Sequence, residues 1–238
     1  MFPQGYHYDP FYLILAGLTM LVSHLVGMML KHKFAKYSQV PTSFTGREVA
    51  LRMLRDHGIM DVQVTSVGGQ LTDHYHPTEK TVNLSEPVFA SRSVAAVAVA
   101  AHECGHAVQH AARYPMLALR STLVPVVQFG STLAPWIIMA GVGMASAGGN
   151  LYVLGAGLLL FAASTLFALV TLPVEFDASR RALAWMERSG VASGVSHDQA
   201  KDVLFWAAMT YVVAALASIG QLLYYVMLFM RASQNRRE

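Results

Sequence analysis

The sequence predicts an α-helical integral membrane protein: four transmembrane helices and a small α+β part built around one histidine-bearing helix. Three observations predict it. The 238 residues are 54% hydrophobic and only 13% charged, with mean hydropathy +0.41; soluble domains carry about 25% charged residues. The apolar residues fall into four blocks, each long enough to cross a hydrocarbon core of ~30 Å. Between the first two blocks, Tyr37 to Pro115 has the composition of a soluble domain and contains His102-Glu103-Cys104-Gly105-His106. The net charge of +3 comes without a basic, aromatic-interleaved patch, which argues against nucleic acid as a partner.

The aromatics Tyr6, Tyr8, Phe11 and Tyr12, before and at the start of the first block, Phe11 to Leu30, suit an interfacial belt. No Lys or Arg precedes it, whereas Lys31, Lys33 and Lys36 follow. That order is reversed for a signal peptide and fits an uncleaved anchor with its N-terminus outside. His24 inside the block reads as a packed, neutral side chain.

In the soluble stretch, Thr45 and Glu48 form a capping box for a helix whose apolar stripe is Val49, Met53 and Leu54. Gly58 can end it. Val62–Thr65, Leu71–Tyr75 and Thr81–Leu84 read as three short strands of an antiparallel sheet, with Thr81 to Ser85 either an edge open to an extended peptide or only a packing layer. Asp73, His74 and His76 alternate along a strand and are expected to form a hydrogen-bonded turn rather than a second metal site. Ser91 to Ser93 can cap the next helix, Val94 to about Arg113, which Pro115 ends.

That helix carries the chemistry. At about 100° per residue, His102 and His106 stand about 40° apart on one face, a turn from each other, and both can reach one ion. Glu103 lies beside them as the base of a zinc hydrolase. Random placement of the 10 His and 7 Glu gives about 0.01 such matches, so the pattern is informative. Cys104 points about 200° away from His102 and reads as packing. His110 lies about 80° from His102, beside the ligands or the substrate rather than on the metal.

Leu123 to about Ala145, Leu151 to Leu172 and Val203 to Met230 are the remaining spans, the second following the hairpin Ser146 to Asn150. The expected segments are therefore an anchor at 1–36, an α+β part carrying the motif helix at 37–116, and a transmembrane hairpin at 117–172. A cytoplasmic segment at 173–202 and a last transmembrane helix with its tail at 203–238 complete the chain. Lys and Arg flank the 37–116 part, and Arg180, Arg181 and Arg188 fill the short later loop. By the positive-inside tendency both face the cytoplasm and the termini lie outside; Arg231, Arg236 and Arg237 argue the other way.

A catalytic zinc takes three protein ligands and keeps one position open. A third ligand on the same side is Glu175, where the third span returns; Asp198 and Asp202 are rivals that follow the polar loop Ser189 to His197. Glu175 could equally be a solvated carboxylate at a helix start, and Asp177 could simply pair with Arg181. Arg180, Arg181, His197 and Tyr211 are the candidate donors to an oxyanion, which the sequence does not rank.

Four blocks together carry a family resemblance: Leu71-Thr72-Asp73-His74-Tyr75, Leu84-Ser85-Glu86-Pro87, His102 to His110, and Leu172 to Arg181. They resemble the YugP-type neutral zinc metallopeptidases, bacterial integral-membrane proteins, over about residues 5–230. The resemblance implies a gluzincin-like site: His102, His106 and Glu175 hold Zn2+, Glu103 is the general base, and Asp177 stands behind the ligands. The plan is similar to that of the HtpX and prenyl-protein membrane proteases, which carry Glu-x-x-x-Asp around the third ligand. Here Ser179 stands at that fourth position, and His76 replaces an acidic residue. The implied substrate is a protein or peptide at the lipid bilayer, with a membrane-protein partner or a homo-oligomer left open. The rival from another class is a non-catalytic zinc-binding membrane scaffold or chaperone-like partner.

Overall fold

The computed structural model describes residues 9–147 and 149–234. Tyr6, Tyr8, Gly148, Arg236 and Arg237, used in the sequence reading, lie outside them. Four helices in it are long and apolar enough to cross a membrane: α1 (Pro10–Tyr37), α5 (Pro115–Ser146), α6 (Tyr152–Ser189) and α7 (Val195–Gln234). Between α1 and α5 lie α2 (Gly46–Asp56), β1 (Gln63–Val67), β2 (His74–His76), β3 (Thr81–Ser85), α3 (Glu86–Phe89) and α4 (Val94–Ala111).

The chain divides into two compact units. One comprises Met1–Leu25, Thr122–Leu169 and Val212–Glu238; the other comprises Val26–Ser121 and Val170–Tyr211. In the first unit, small residues set the packing. A Cβ added at Gly141 would lie 2.5 Å from the Leu154 backbone, and one at Gly157 would meet Ile138. These glycines are there because the helices approach too closely for a side chain. Thr165 adds a polar contact, its hydroxyl 2.8 Å from that of Ser218.

The second unit has a conventional core. α2 starts at the expected capping box: the Glu48 N–H donates to Thr45 Oγ1 (3.1 Å), and the Thr45 N–H donates to the Glu48 carboxylate (2.7 Å). Its buried stripe of Val49, Ala50, Met53 and Leu54 packs with Val82, Leu84 and the alanine-rich face of α4. Gly58, at φ 70°, supplies the left-handed residue just past the helix end. α4 begins where Ser93 Oγ accepts from the Ala96 N–H. Alanine favours helix and costs no side-chain entropy when buried, so α4 can run through the core nearly all round. It stops at Ala111 because Arg113 turns left-handed (φ 51°) and Pro115 opens α5, where its missing N–H costs nothing.

Several expectations need correction. The sheet is mixed, in the order β1-β3-β2, with β1 parallel and β2 antiparallel to β3. β3 is central, paired on both sides, so Thr81 to Ser85 is no open edge. Parallel pairing of β1 with β3 is a crossover, which strand periodicity does not reveal. α6 continues through Pro173 to Ser189, so Glu175 sits inside a helix rather than at the start of one. Asp198 and Asp202 are helical too, within α7. Asp202 is committed elsewhere: Lys33 Nζ (2.6 Å) and the Tyr37 hydroxyl (2.7 Å) both donate to it.

Candidate metal centre

α4 sets His102 and His106 one turn apart, their ring centroids 4.8 Å from each other and nearly perpendicular. α6 passes this face with almost no clearance: a Cβ at Gly105 would stand 2.5 Å from the Ala178 carbonyl oxygen. Gly105, inside the motif, is what admits the second helix. That approach brings Glu175 between the two rings, its Oε2 3.3 Å from His102 Nε2 and 3.7 Å from His106 Nε2. One donor atom from each of the three residues lies within 4.8 Å of the others, a group able to hold a metal ion.

The opposite ring nitrogens are held by neighbours. Gln109 is fully buried, and its amide N–H donates to the Val174 carbonyl (2.7 Å) and to Asp177 Oδ2 (2.9 Å). With the NH2 so occupied, Gln109 Oε1 faces His106 Nδ1 at 3.0 Å as an acceptor. In the neutral ring Nδ1 therefore carries the hydrogen, which leaves Nε2 as the nitrogen able to bind an ion. His102 Nδ1 lies 3.1 Å from Ser179 Oγ. Arg120 holds the other oxygen of Glu175, its Nη1 3.1 Å from Oε1. Among the described residues, the buried Glu175 Oε2 finds no hydrogen-bond partner. An unsatisfied buried carboxylate oxygen costs free energy unless something positive meets it. Two imidazoles and one carboxylate aimed at one point suit zinc.

The electrostatics agree. Burial pushes the Glu103 carboxyl above its ordinary value, and His102 and His106 pull it partly back. Burial opposes a charged His106, but the Glu175 and Glu103 carboxylates outweigh it and raise its pKa. The cluster thus calls for positive charge at its centre. Cys104 is inert by comparison: buried, its thiol pushed up by burial, with Sγ 3.6 Å from the Ala50 carbonyl.

The other expected site residues are spread out. Arg180 and Arg181 both pair with Asp177, Arg181 at 2.5 Å. His110 meets the Tyr75 hydroxyl at 2.8 Å on the exposed end of α4. His197 lines a groove with Arg180 and Phe205. Tyr211 lines a cavity of about 160 Å³ together with His102, Glu103 and Glu175. Asp73 also reaches this cavity, its carboxylate accepting from the Ser85 N–H (2.7 Å) and hydroxyl. Sequence reasoning missed three residues that support the cluster: Gln109, Ser179 and Arg120. Gln109 had a signal, being a polar residue three after His106 in an otherwise apolar, buried helix.

The fold and this cluster define a class. A family model described as "Putative neutral zinc metallopeptidase" matches residues 12–230, and the chain belongs to that family of zinc metallopeptidases. Membership implies a protein or peptide substrate and association with a membrane. The "Putative membrane protease YugP" of Bacillus subtilis (strain 168) is 45% identical over 203 residues, which cover 84% of this chain and 88% of that relative. No solved structure matches the chain.

Proposed function

We propose that the protein is a membrane-bound zinc endopeptidase in which His102, His106 and Glu175 hold the ion and Glu103 is the general base. The observation that carries this reading is Glu175 Oε2: buried, facing both histidine Nε2 atoms and, among the described residues, without a hydrogen-bond partner. Bound there, zinc supplies Lewis-acid chemistry, acidifying a water and polarising a carbonyl. Glu103 lines the cavity beside the ligands, takes the proton of the attacking water and passes it to the leaving amine. Gln109 and Ser179 orient the imidazoles, and Arg120 keeps Glu175 turned so that Oε2 faces them. Of the four candidate oxyanion donors, Tyr211 is the one lining the cavity with Glu103.

The substrates in this reading are membrane or membrane-proximal segments. Segments 37–116 and 173–202 form the cytoplasmic part, 1–36, 117–172 and 203–238 the membrane part, in a bacterial cell membrane with both termini outside. A reporter inserted at residue 190 is expected to read as cytoplasmic; an external signal reverses the topology.

The scaffold alternative is the weaker one. A structural zinc prefers four protein ligands, and the described residues bring three together beside a cavity. Metal analysis of the purified chain with cleavage of a casein-type substrate separates them. The peptidase reading expects zinc and a cleavage that a chelator abolishes; zinc without cleavage supports the scaffold.

A further inference from the structure

The cavity beside Glu103 has two ends of different chemistry. His102, Glu103 and Glu175 make its polar end. Asp73, Thr210 and Tyr211 also line it, and the remaining wall is mainly aliphatic and aromatic, with Leu30 and Phe34 of α1, Val99 of α4, and Val203, Leu204 and Ala207 of α7. At about 160 Å³ it has the size of a cavity that takes up one benzene ring, about 150 Å³. Apolar wall left without partner atoms forfeits dispersion contacts, so covering that part with an apolar group is favourable.

Two further features hold it open. Asp202, the residue before Val203, binds both Lys33 (2.6 Å) and Tyr37 (2.7 Å), which pins α1 to α7 beside the cavity. The walls therefore cannot simply collapse inward. Leu71, another lining residue, has φ 56°, a left-handed conformation that a bulky side chain rarely adopts. Strain of this sort persists where the surroundings over-determine it, and it clusters at ligand-binding places.

The geometry points to this cavity as a specificity subsite that takes one large apolar side chain, Phe or Leu, from the substrate residue flanking the cleaved bond. The inference rests on the peptidase reading, since the polar end of the cavity is the proposed catalytic group. The substrate backbone lies at His102 and Glu103, and its side chain enters between α1 and α7. Both helices are long and apolar enough to cross a membrane, so a segment leaving a bilayer would bring such a side chain to hand. Charged and small residues are selected against, the first by desolvation and the second by the void they leave. Ala207 and Ala208 are the smallest side chains of that wall.

The test uses the full chain, zinc-loaded in detergent, and a peptide series varying each position next to the cleaved bond. At one such position Phe or Leu should exceed Ala by about tenfold or more in kcat/KM. Ala207→Leu fills the cavity and should bring that ratio to one or below. Phe34→Ala enlarges it and should move the preference toward Trp. Zinc content and thermal stability of each variant show that it is folded. Two variants of opposite sign keep the test decisive if one of them fails to fold. A flat profile in the wild type, or an unchanged preference in zinc-loaded variants, overturns the subsite while leaving the peptidase reading intact. Failure to cleave any peptide removes both.

Discussion

The two units of the chain bury polar groups by opposite rules. Around α4, the buried Gln109, Glu175 and Asp177 are joined to named partners on α5 and α6 within about hydrogen-bonding distance. In the other unit, buried Thr165 bonds back to Phe161 of its own helix (3.1 Å) and across to Ser218, and the contacts are otherwise set by size. The first region demands particular side chains, because a buried charge stripped of its partner is strongly destabilising. The second demands small ones, because helices meet there through close backbone approach. Substitutions should therefore separate the two, the first group acting on metal and the second on packing alone.

The largest effect is expected from Glu175→Ala. It removes one of the three donors, so zinc content and peptide cleavage should both be lost; full zinc occupancy would reassign the third ligand. Next come Gly105→Ala and Gly157→Ala, which insert similar clashes into the two regions. Overpacking of this kind costs about 1–3 kcal/mol in each. Gly105→Ala also pushes on α6 beside Glu175 and should lower zinc affinity, whereas Gly157→Ala should lower only thermal stability. Zinc loss in Gly157→Ala would erase the contrast drawn between the units.

Gln109→Ala and Ser179→Ala should each weaken zinc binding by roughly 10–100-fold, since the imidazoles lose the groups that orient them. Calorimetric zinc titration measures this, and wild-type affinity in both would remove their supporting role. The smallest effect belongs to the capping box. Thr45→Ala should cost about 1 kcal/mol in denaturant unfolding without touching zinc. The Thr45 N–H holds the Glu48 carboxyl below its ordinary value of 4.5. A depressed folded-state pKa stabilises above the unfolded value, so this contribution should be present above about pH 4.5 and drain away as pH falls further.

What the sequence made legible was local. The capping box, the Ser93 cap, the apolar blocks and the face shared by His102 and His106 all follow from spacing along one element. The grouping of Glu175 with the two histidines was legible as well, because four ordered motif blocks carried it. The sheet was not, since pairing β1 with β3 depends on a partner in a later stretch and β2 is only three residues long. Gln109, Ser179 and Arg120 lay hidden for a related reason. Their roles depend on how α6 turns against α4 and on where α5 begins, and no single helix encodes those relations. Ser179 shows this best: its hydroxyl lies 3.1 Å from His102 Nδ1, on a helix 77 residues further along the chain.

The central claim, that Glu103 does the proton transfer at a site held by other residues, is tested most directly by Glu103→Gln. Purified in detergent, this variant should bind zinc at the wild-type level and cleave a casein-type substrate at least about 10²-fold more slowly. Cleavage at the wild-type rate by the zinc-loaded variant would contradict the account.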